Sequence, residues 1–214
     1  MHNLLKALTL TGLSSLAMLA LPVQAGVIMF QDNFNGDLGT SSLNFTSFTN
    51  WTVSNGTVDY IRTPNVWSID SCLDGCVDMD GSTGNGGRMT TNAIFNLLAT
   101  NTYKISIDVS GNQRNQTAEN LTFGFPSFAL FNYGGITSDF FTTYTSTFSG
   151  ITALSSLILE TASNDNIGAI VDNVVLECVT CEIPSVPEPG LFGLMGLGLL
   201  GLAIAYKRRV LRLS

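Results

Sequence analysis

Histidine is the side chain that most often moves protons near neutral pH, and this chain has one, His2. It lies in an N-terminal segment with the features of a cleaved leader, so the exported chain has no imidazole to act as base, acid or metal ligand. Ser-His-Asp and Cys-His mechanisms are excluded, and so is a zinc hydrolase built on His ligands. What remains is oxygen and sulfur. Sixteen Asp and Glu side chains include enough carboxylates for a pair that hydrolyses a glycosidic bond, although so many acids guarantee close pairs whatever the function. The four cysteines fall as Cys72-x-x-x-Cys76 and Cys178-x-x-Cys181. An even count in an exported chain reads as two disulfides. Three connectivities are open, and the two local pairs, Cys72–Cys76 and Cys178–Cys181, are favoured. A four-Cys zinc site would have to compete with oxidation. A thioredoxin-like redox pair would need a helix start, whereas Cys181 runs into Glu182-Ile183-Pro184. The sequence is therefore expected to be noncatalytic.

Charge narrows the partners. From Asp32 to Glu188 the only bases are Arg62, Arg88, Lys104 and Arg114, giving that stretch a net −12 against −7 for the whole chain. Such a surface repels nucleic acid and anionic lipid and favours solubility or association with divalent cations. Asp74, Asp78, Asp80 and Gly81 hint at a calcium loop, but Cys76 occupies a position where an EF-hand needs an acid.

The elements that must position these groups repeat with period two. Tyr103, Ile105, Ile107 and Val109 alternate with Lys104, Ser106 and Asp108, and Leu121, Phe123 and Phe125 repeat the pattern. Val174 and Leu176 do so near the end of the domain, which places Asp172 and Asn173 on opposite faces of the last strand. Further strands are expected at 51–53, 57–61, 77–80, 142–148 and 157–160, separated by Gly/Asn/Pro clusters such as Gly84-Asn85-Gly86-Gly87. The best helical candidate, 93–99, is short and reads equally well as extended. Many short strands without a long helix predict an all-β fold, an antiparallel β-sandwich of jelly-roll type.

The two ends are not part of that fold. Lys6, an apolar run from Ala7 to Ala20, and the small residues of Val23-Gln24-Ala25 form a signal peptide, with cleavage by signal peptidase expected after Ala25. At the other end Val186-Pro187-Glu188-Pro189 precedes the apolar run 191–206 and the cluster Lys207-Arg208-Arg209. As a helix the run would cover about 24 Å at 1.5 Å per residue, slightly short of a ~30 Å hydrocarbon core. The basic cluster would snorkel and hold that end on the cytoplasmic side. The expected division is a signal peptide (1–25), a β-sandwich ectodomain (26–181), a Pro-rich linker (182–190), a transmembrane helix (191–206) and a basic cytoplasmic tail (207–214). The triplet, apolar run and basic end resemble the PEP-CTERM sorting signal of exported bacterial proteins. That resemblance implies cleavage near the triplet by an exosortase, and release from a membrane-anchored precursor to the cell surface or an extracellular matrix. The alternative is a tail kept as a permanent anchor.

A second resemblance covers most of the middle. Asn50-Trp51-Thr52-Val53 with Val58-Asp59, Val77-Asp78-Met79-Asp80-Gly81-Ser82, the segment from Tyr103 to Asn112, and Asn164-Asp165-Asn166-Ile167-Gly168 leading to Val171-Asp172-Asn173-Val174 stand in a fixed order. Together they are similar to galactose-binding-like jelly rolls related to carbohydrate-binding modules. The resemblance implies a polysaccharide partner, and a structural Ca²⁺ held between the start of the domain and the last strand. Asp172 matches the last-strand ligand. Relatives often have phenylalanine followed by an acid at the start of the domain, but here Asn35 follows Phe34, so Asp32 or Asp37 would substitute. For a sugar, exposed rings supply stacking and side-chain amides or carboxylates bond the hydroxyls. The candidate rings are Trp67, Tyr60 and Tyr133, with Trp51 behind them. Trp67 leads because Pro64-Asn65 and Asp70-Ser71 bracket it with loop residues.

Overall fold

The computed structural model describes residues 26–69, 71–115, 117–181, 196–201 and 204. The signal-peptide site at Ala25, the sorting residues Val186, Pro187, Glu188 and Pro189, and most of the expected apolar helix lie outside the described residues. Residues 196–201 and 204 are helical, and among the described residues no helix is long and apolar enough to cross a membrane.

Among the described residues, thirteen strands make two facing sheets and a small ribbon. In chain order they are β1 (Val27–Asp32), β2 (Trp51–Ser54), β3 (Asp59–Ile61), β4 (Cys76–Asp78), β5 (Arg88–Thr91), β6 (Phe95–Leu97), β7 (Thr102–Ser110), β8 (Glu119–Phe125), β9 (Ala129–Ile136), β10 (Thr142–Ser149), β11 (Ala153–Ser155), β12 (Ile158–Glu160) and β13 (Ile170–Cys178). One sheet runs β10-β7-β13-β4-β3, with β1 also paired to β13; the other runs β2-β5-β12-β8-β9; β6 and β11 pair by themselves. All these pairings are antiparallel. The architecture is the antiparallel β-sandwich that the period-two pattern predicts.

Alternation explains the core. From β7 the side chains of Tyr103, Ile105, Ile107 and Val109 meet Leu121, Phe123 and Phe125 of β8 in one buried cluster with Trp51, Met89, Leu159 and Leu176. The open side of the sandwich, between the edge strands β9 and β10, is closed by rings. Tyr133 stacks on Phe123 at 5.4 Å, meets Tyr144 edge-on at 4.7 Å, and is hydrogen-bonded to Ser146 Oγ through its hydroxyl.

The segment 93–99 is extended, not helical: Phe95 and Leu97 face the core while Ile94, Asn96 and Leu98 face out. A two-residue repeat buries two large side chains in three residues here, and that burial outweighs the helix propensity of Leu and Ala.

The last strand departs from simple alternation. Its register against β7 shifts between Asp172 and Val175, and Asn173 adopts a left-handed backbone with φ 48°. This bulge inserts one residue, so Val171 and Val174, three apart, both face the main core. Asp172 and Asn173 are consequently not on opposite faces. Asp172 lies opposite Asp108 on β7, and Asn173 Nδ2 donates to Asp108 Oδ2 at 3.0 Å.

A satellite core lies on the outer side of the six-stranded sheet. Ile61, Ile69, Cys72, Cys76 and Ile170 form it, with Trp67 and Phe141 packed against it. Both local disulfides form, Cys72–Cys76 and Cys178–Cys181. The first seals this satellite core; the second closes the turn after β13.

Candidate functional site

The loop before the first disulfide presents Trp67. Asn65 organises it: its Oδ1 accepts the amides of Trp67 (3.1 Å) and Ile69 (3.3 Å), and its Nδ2 donates to Ile69 O at 3.0 Å. Trp67 is half-buried, one side resting on the satellite core. Ser68 beside it takes a left-handed backbone, φ 59°, and so does Gln113 in the loop after β7. Ser68, Ser71, Gln113, Asp139 and Phe140 line one cleft of about 350 Å³. Two non-glycine residues in a sparsely populated conformation at one cleft mark an over-determined site. Gln113 ties the two loops together, since its Nε2 donates to Ser71 Oγ and to Ser110 Oγ. Phe140 is 80% exposed, whereas its neighbour Phe141 packs inward.

Sequence reasoning placed Trp67 in a loop and missed Phe140, Gln113 and Asp139. A signal for Phe140 was present. Phe140-Phe141 immediately precedes a period-two strand, and alternation forces one of two adjacent rings outward. The other candidate rings fare differently. Tyr60 is wholly buried, its hydroxyl donating to Phe34 O (3.1 Å) and Leu38 O (2.9 Å), so it presents no face to a sugar. Asp59 beside it is itself buried, taking hydrogen bonds from Asn44 N, Ser82 N and Ser82 Oγ. Trp51 is buried too. Tyr133 is half-buried and engaged on both sides by Phe123 and Tyr144.

A second cleft, about 540 Å³, opens where β1 ends beside β13, and Asp32, Asp37, Asn50 and Asn173 line it. This is where the expected calcium set would gather. Asp32 is already committed: Oδ1 accepts Phe34 N at 2.9 Å, and Oδ2 accepts Asn50 Nδ2 at 3.1 Å and the Trp51 indole at 2.8 Å. Asp37 Oδ1 accepts Thr49 N at 2.7 Å. Asp172 does not line this cleft. Among the described residues no group of three or more His, Cys, Asp or Glu side chains is placed to hold a metal ion. The three acids of the expected calcium set are therefore not gathered at one point. Asp32 instead serves as an internal acceptor that fixes the buried indole.

Acidic side chains elsewhere turn inward. Asp78 and Asp80 are buried. Asp78 Oδ1 accepts the amides of Asp80 and Gly168, and Oδ2 pairs with Arg114. Asp80 Oδ2 accepts the amides of Asp165 and Asn166. The carboxylates that hinted at a calcium loop therefore cap two backbone turns. Burial raises Asp78 to about 7 even with Arg114 and two amides opposing it. Asp172 also rises to about 7, first by burial and then by Asp108, Asp32 and Asp74 nearby, with the Asn173 amide opposing. Burial raises Glu119 as well, against the hydrogen bond from Asn112. Each group binds its proton more tightly folded than unfolded. The stability it confers is full below the ordinary 3.8 of Asp and is lost as pH rises through about 7. The midpoint of thermal unfolding, followed by circular dichroism, should therefore fall between pH 5 and pH 8. Asp172→Asn should make that fall shallower.

Comparison with known proteins adds the destination. The segment that begins just before the Pro-Glu-Pro triplet and ends in the basic cluster matches a protein-sorting family over residues 185–209. The chain carries a PEP-CTERM protein-sorting motif. The PEP-CTERM motif marks an exported protein sorted by an exosortase to the cell envelope or surface. Among curated proteins none matches the sequence. A cyclase from Fischerella sp. TAU shares the fold, with TM-score 0.52 and 14% identity over 74% of this chain and 100% of its own. The CBM22-1 xylan-binding domain of Paenibacillus barcinonensis Xyn10C aligns with TM-score 0.44 and 16% identity over 75% of this PEP-CTERM chain and 100% of its own. The CBM6cm-2 carbohydrate-binding module of Cellvibrio mixtus lichenase 5A, solved with cellotriose, aligns with TM-score 0.33 and 11% identity over 70% and 97%.

Proposed function

We propose that the ectodomain is a noncatalytic surface or matrix module that binds polysaccharide through the cleft beside Trp67. The carrying observation is the combination found there. A phenylalanine ring 80% open to solvent stands among two serine hydroxyls, a fixed glutamine and a carboxylate. Ring and polar edge are the two contacts a pyranose offers, a C–H face and equatorial hydroxyls. Trp67 extends the apolar side of the same loop. On this reading signal peptidase removes 1–25, an exosortase acts near Pro187, and the released domain meets its glycan outside the cell.

The rival is a carboxylate-dependent glycan-active enzyme, and one observation favours it. Asp172, raised to about 7, lies opposite Asp108, an arrangement of acid and carboxylate that glycosidases use. Asp108, however, already accepts Thr143 Oγ1 at 2.5 Å and Asn173 Nδ2 at 3.0 Å, and neither acid lines either cleft.

Affinity electrophoresis through gels containing bacterial exopolysaccharide, xylan or β-glucan, with a reducing-end assay in parallel, tests both readings. Retardation without new reducing ends is expected. Phe140→Ala should weaken binding by about tenfold, the equivalent of about 1.4 kcal/mol, with an unchanged thermal midpoint because the ring is exposed. Equal retardation of wild type and Phe140→Ala removes this cleft from the account, and new reducing ends favour the enzyme.

A further inference from the structure

The two ends of the domain leave from one pole. Val27 pairs with Cys178 at the start of β1 and the end of β13, and Tyr103 of β7 pairs with the same cysteine. The β6/β11 ribbon belongs to this pole. Gly150 N donates to Asn101 O at 2.9 Å, Asn101 Nδ2 lies 3.1 Å from Cys181 Sγ, and Leu98 N donates to Tyr103 Oη at 2.8 Å. The cleft beside Trp67 lies at the opposite end of β7, next to Ser110.

Among the described residues the stretches that build this pole carry no charged side chain. Those stretches, 26–31, 89–103, 148–159 and 178–181, contain no Asp, Glu, Lys, Arg or His, in a domain whose acids greatly outnumber its bases. Lys104 and Glu177, which border the pole, neutralise each other in an ion pair. It is also apolar on its outer side. Leu154 is 74% exposed, Ile94 67%, Ile151 44% and Leu98 43%. Register explains their grouping: Leu154 lies opposite Asn96, which places Ile94 and Leu98 as its diagonal neighbours on the same face of the ribbon. Exposed apolar clusters of this kind mark a contact surface.

We propose that this pole rests on the lipid surface of the exporting membrane while the sorting tail is still attached. The proposal rests on the sorting reading above. Nine residues, 182–190, separate Cys181 from the apolar run that starts at 191. Fully extended, the ten steps from Cys181 to residue 191 span at most about 36 Å, so the pole cannot lie further than that from the bilayer that holds the run. Before signal-peptide cleavage the other end is tethered at the same pole through Gly26. The acidic remainder of the domain is repelled by anionic headgroups, and the neutral pole is not. Both tethers and the charge distribution thus turn the same face to the membrane, where Ile94, Ile151 and Leu154 meet the boundary between headgroups and acyl chains.

The full-length chain, tail intact, is reconstituted into vesicles of phosphatidylcholine and phosphatidylglycerol in which part of the lipid carries bromine near the headgroup. Leu154→Trp reports the pole and Leu73→Trp, 69% exposed in the disulfide loop near Trp67, reports the far end. Each is read as emission in excess of the parent protein. At least twofold stronger quenching of the Leu154→Trp excess is expected. Equal quenching in vesicles that carry the protein on flotation overturns the proposal and leaves the anchoring intact. Failure to float removes the anchored precursor and the proposal with it. Equal quenching with a cross-linked dimer through the ribbon would assign the patch to a second copy and overturn the proposal equally.

Discussion

Replacing Arg114 by methionine should lower the unfolding free energy by about 1.4 kcal/mol more at pH 8 than at pH 5, the worth of ionising Asp78 one unit above its value of about 7. Asp78 has 1% of its side chain exposed and Arg114 20%. Without the guanidinium, the Asp78 charge keeps only the amides of Asp80 and Gly168, and Asp59 and burial both disfavour it. Arg114 lowers the Asp78 value, so its loss raises it further above 7, and the variant keeps Asp78 protonated at pH 8. The sign of the pH dependence follows. Wild-type Asp78 is largely neutral at pH 5, where the ion pair contributes little, so the difference between the proteins shrinks there. Urea unfolding at pH 5 and pH 8 checks this. An equal loss at both values would mean that Arg114 acts through packing alone, without the charge of Asp78. Asp78→Asn in the same background should recover part of the loss at pH 8, because an amide faces the pocket uncharged without having to bind a proton.

Asp32→Ala should cost about 2–4 kcal/mol, and the cost should be the same in excess Ca²⁺ as in EGTA. The arithmetic is that of stranded donors. The carboxylate accepts the Phe34 amide, the Asn50 amide and the indole of Trp51, a side chain 1% exposed. Leaving a buried donor unpaired costs about 1–3 kcal/mol, while the two more accessible donors recover water. Phe34, whose backbone sits at φ 55° and whose ring meets Trp51 at 6.1 Å, would lose the bond that fixes its turn. A melting temperature that falls for wild type on adding EGTA, and does not fall for Asp32→Ala, would restore the metal and displace the structural role. Asp32→Asn is the finer probe: it keeps an acceptor for one donor and should fall between wild type and alanine.

The long strands were legible because one face of each is buried and the other wet. β7 and β8 announce themselves through Ile105, Ile107, Leu121 and Phe123, and the surrounding Gly/Asn clusters fix their ends. β1 was not seen because Val27-Ile28-Met29-Phe30 continues the apolar character of the leader and has no alternation to read. β9 contains Gly134-Gly135, and a glycine pair reads as a turn although here it lies inside the strand, with Gly135 at φ 74° where the register against β8 shifts. The two disulfides followed from spacing and compartment. The bulge at Asn173 did not, because an extra residue is defined only against a partner strand, and it moved Asn173 beside Asp108. In the candidate site the loop position of Trp67 was readable from its Pro, Asn and Ser neighbours. Gln113 and Asp139 come from distant loops that only the fold joins. The inward turn of Asp59, Asp78 and Asp80 was invisible for a chemical reason: carboxylates are ordinarily solvated, and the backbone amides that reward their burial carry no sequence signature.

The tail leaves from β13, and this strand is no edge. It is paired to β7 along one side and to β1 and β4 along the other. Any tug on the tail, from a membrane in motion or from an enzyme drawing the segment into its active site, therefore enters the sheet at its middle. Pulled along its own length, β13 must slide against its neighbours and rupture many hydrogen bonds together, where an edge strand would unzip them one by one. The ring closed by Cys178 and Cys181 sits between that ladder and the tail, so tension on the tail reaches β13 through a covalent loop at the end of the strand. The domain is in this sense built to be held by its tail under tension without being unravelled from it.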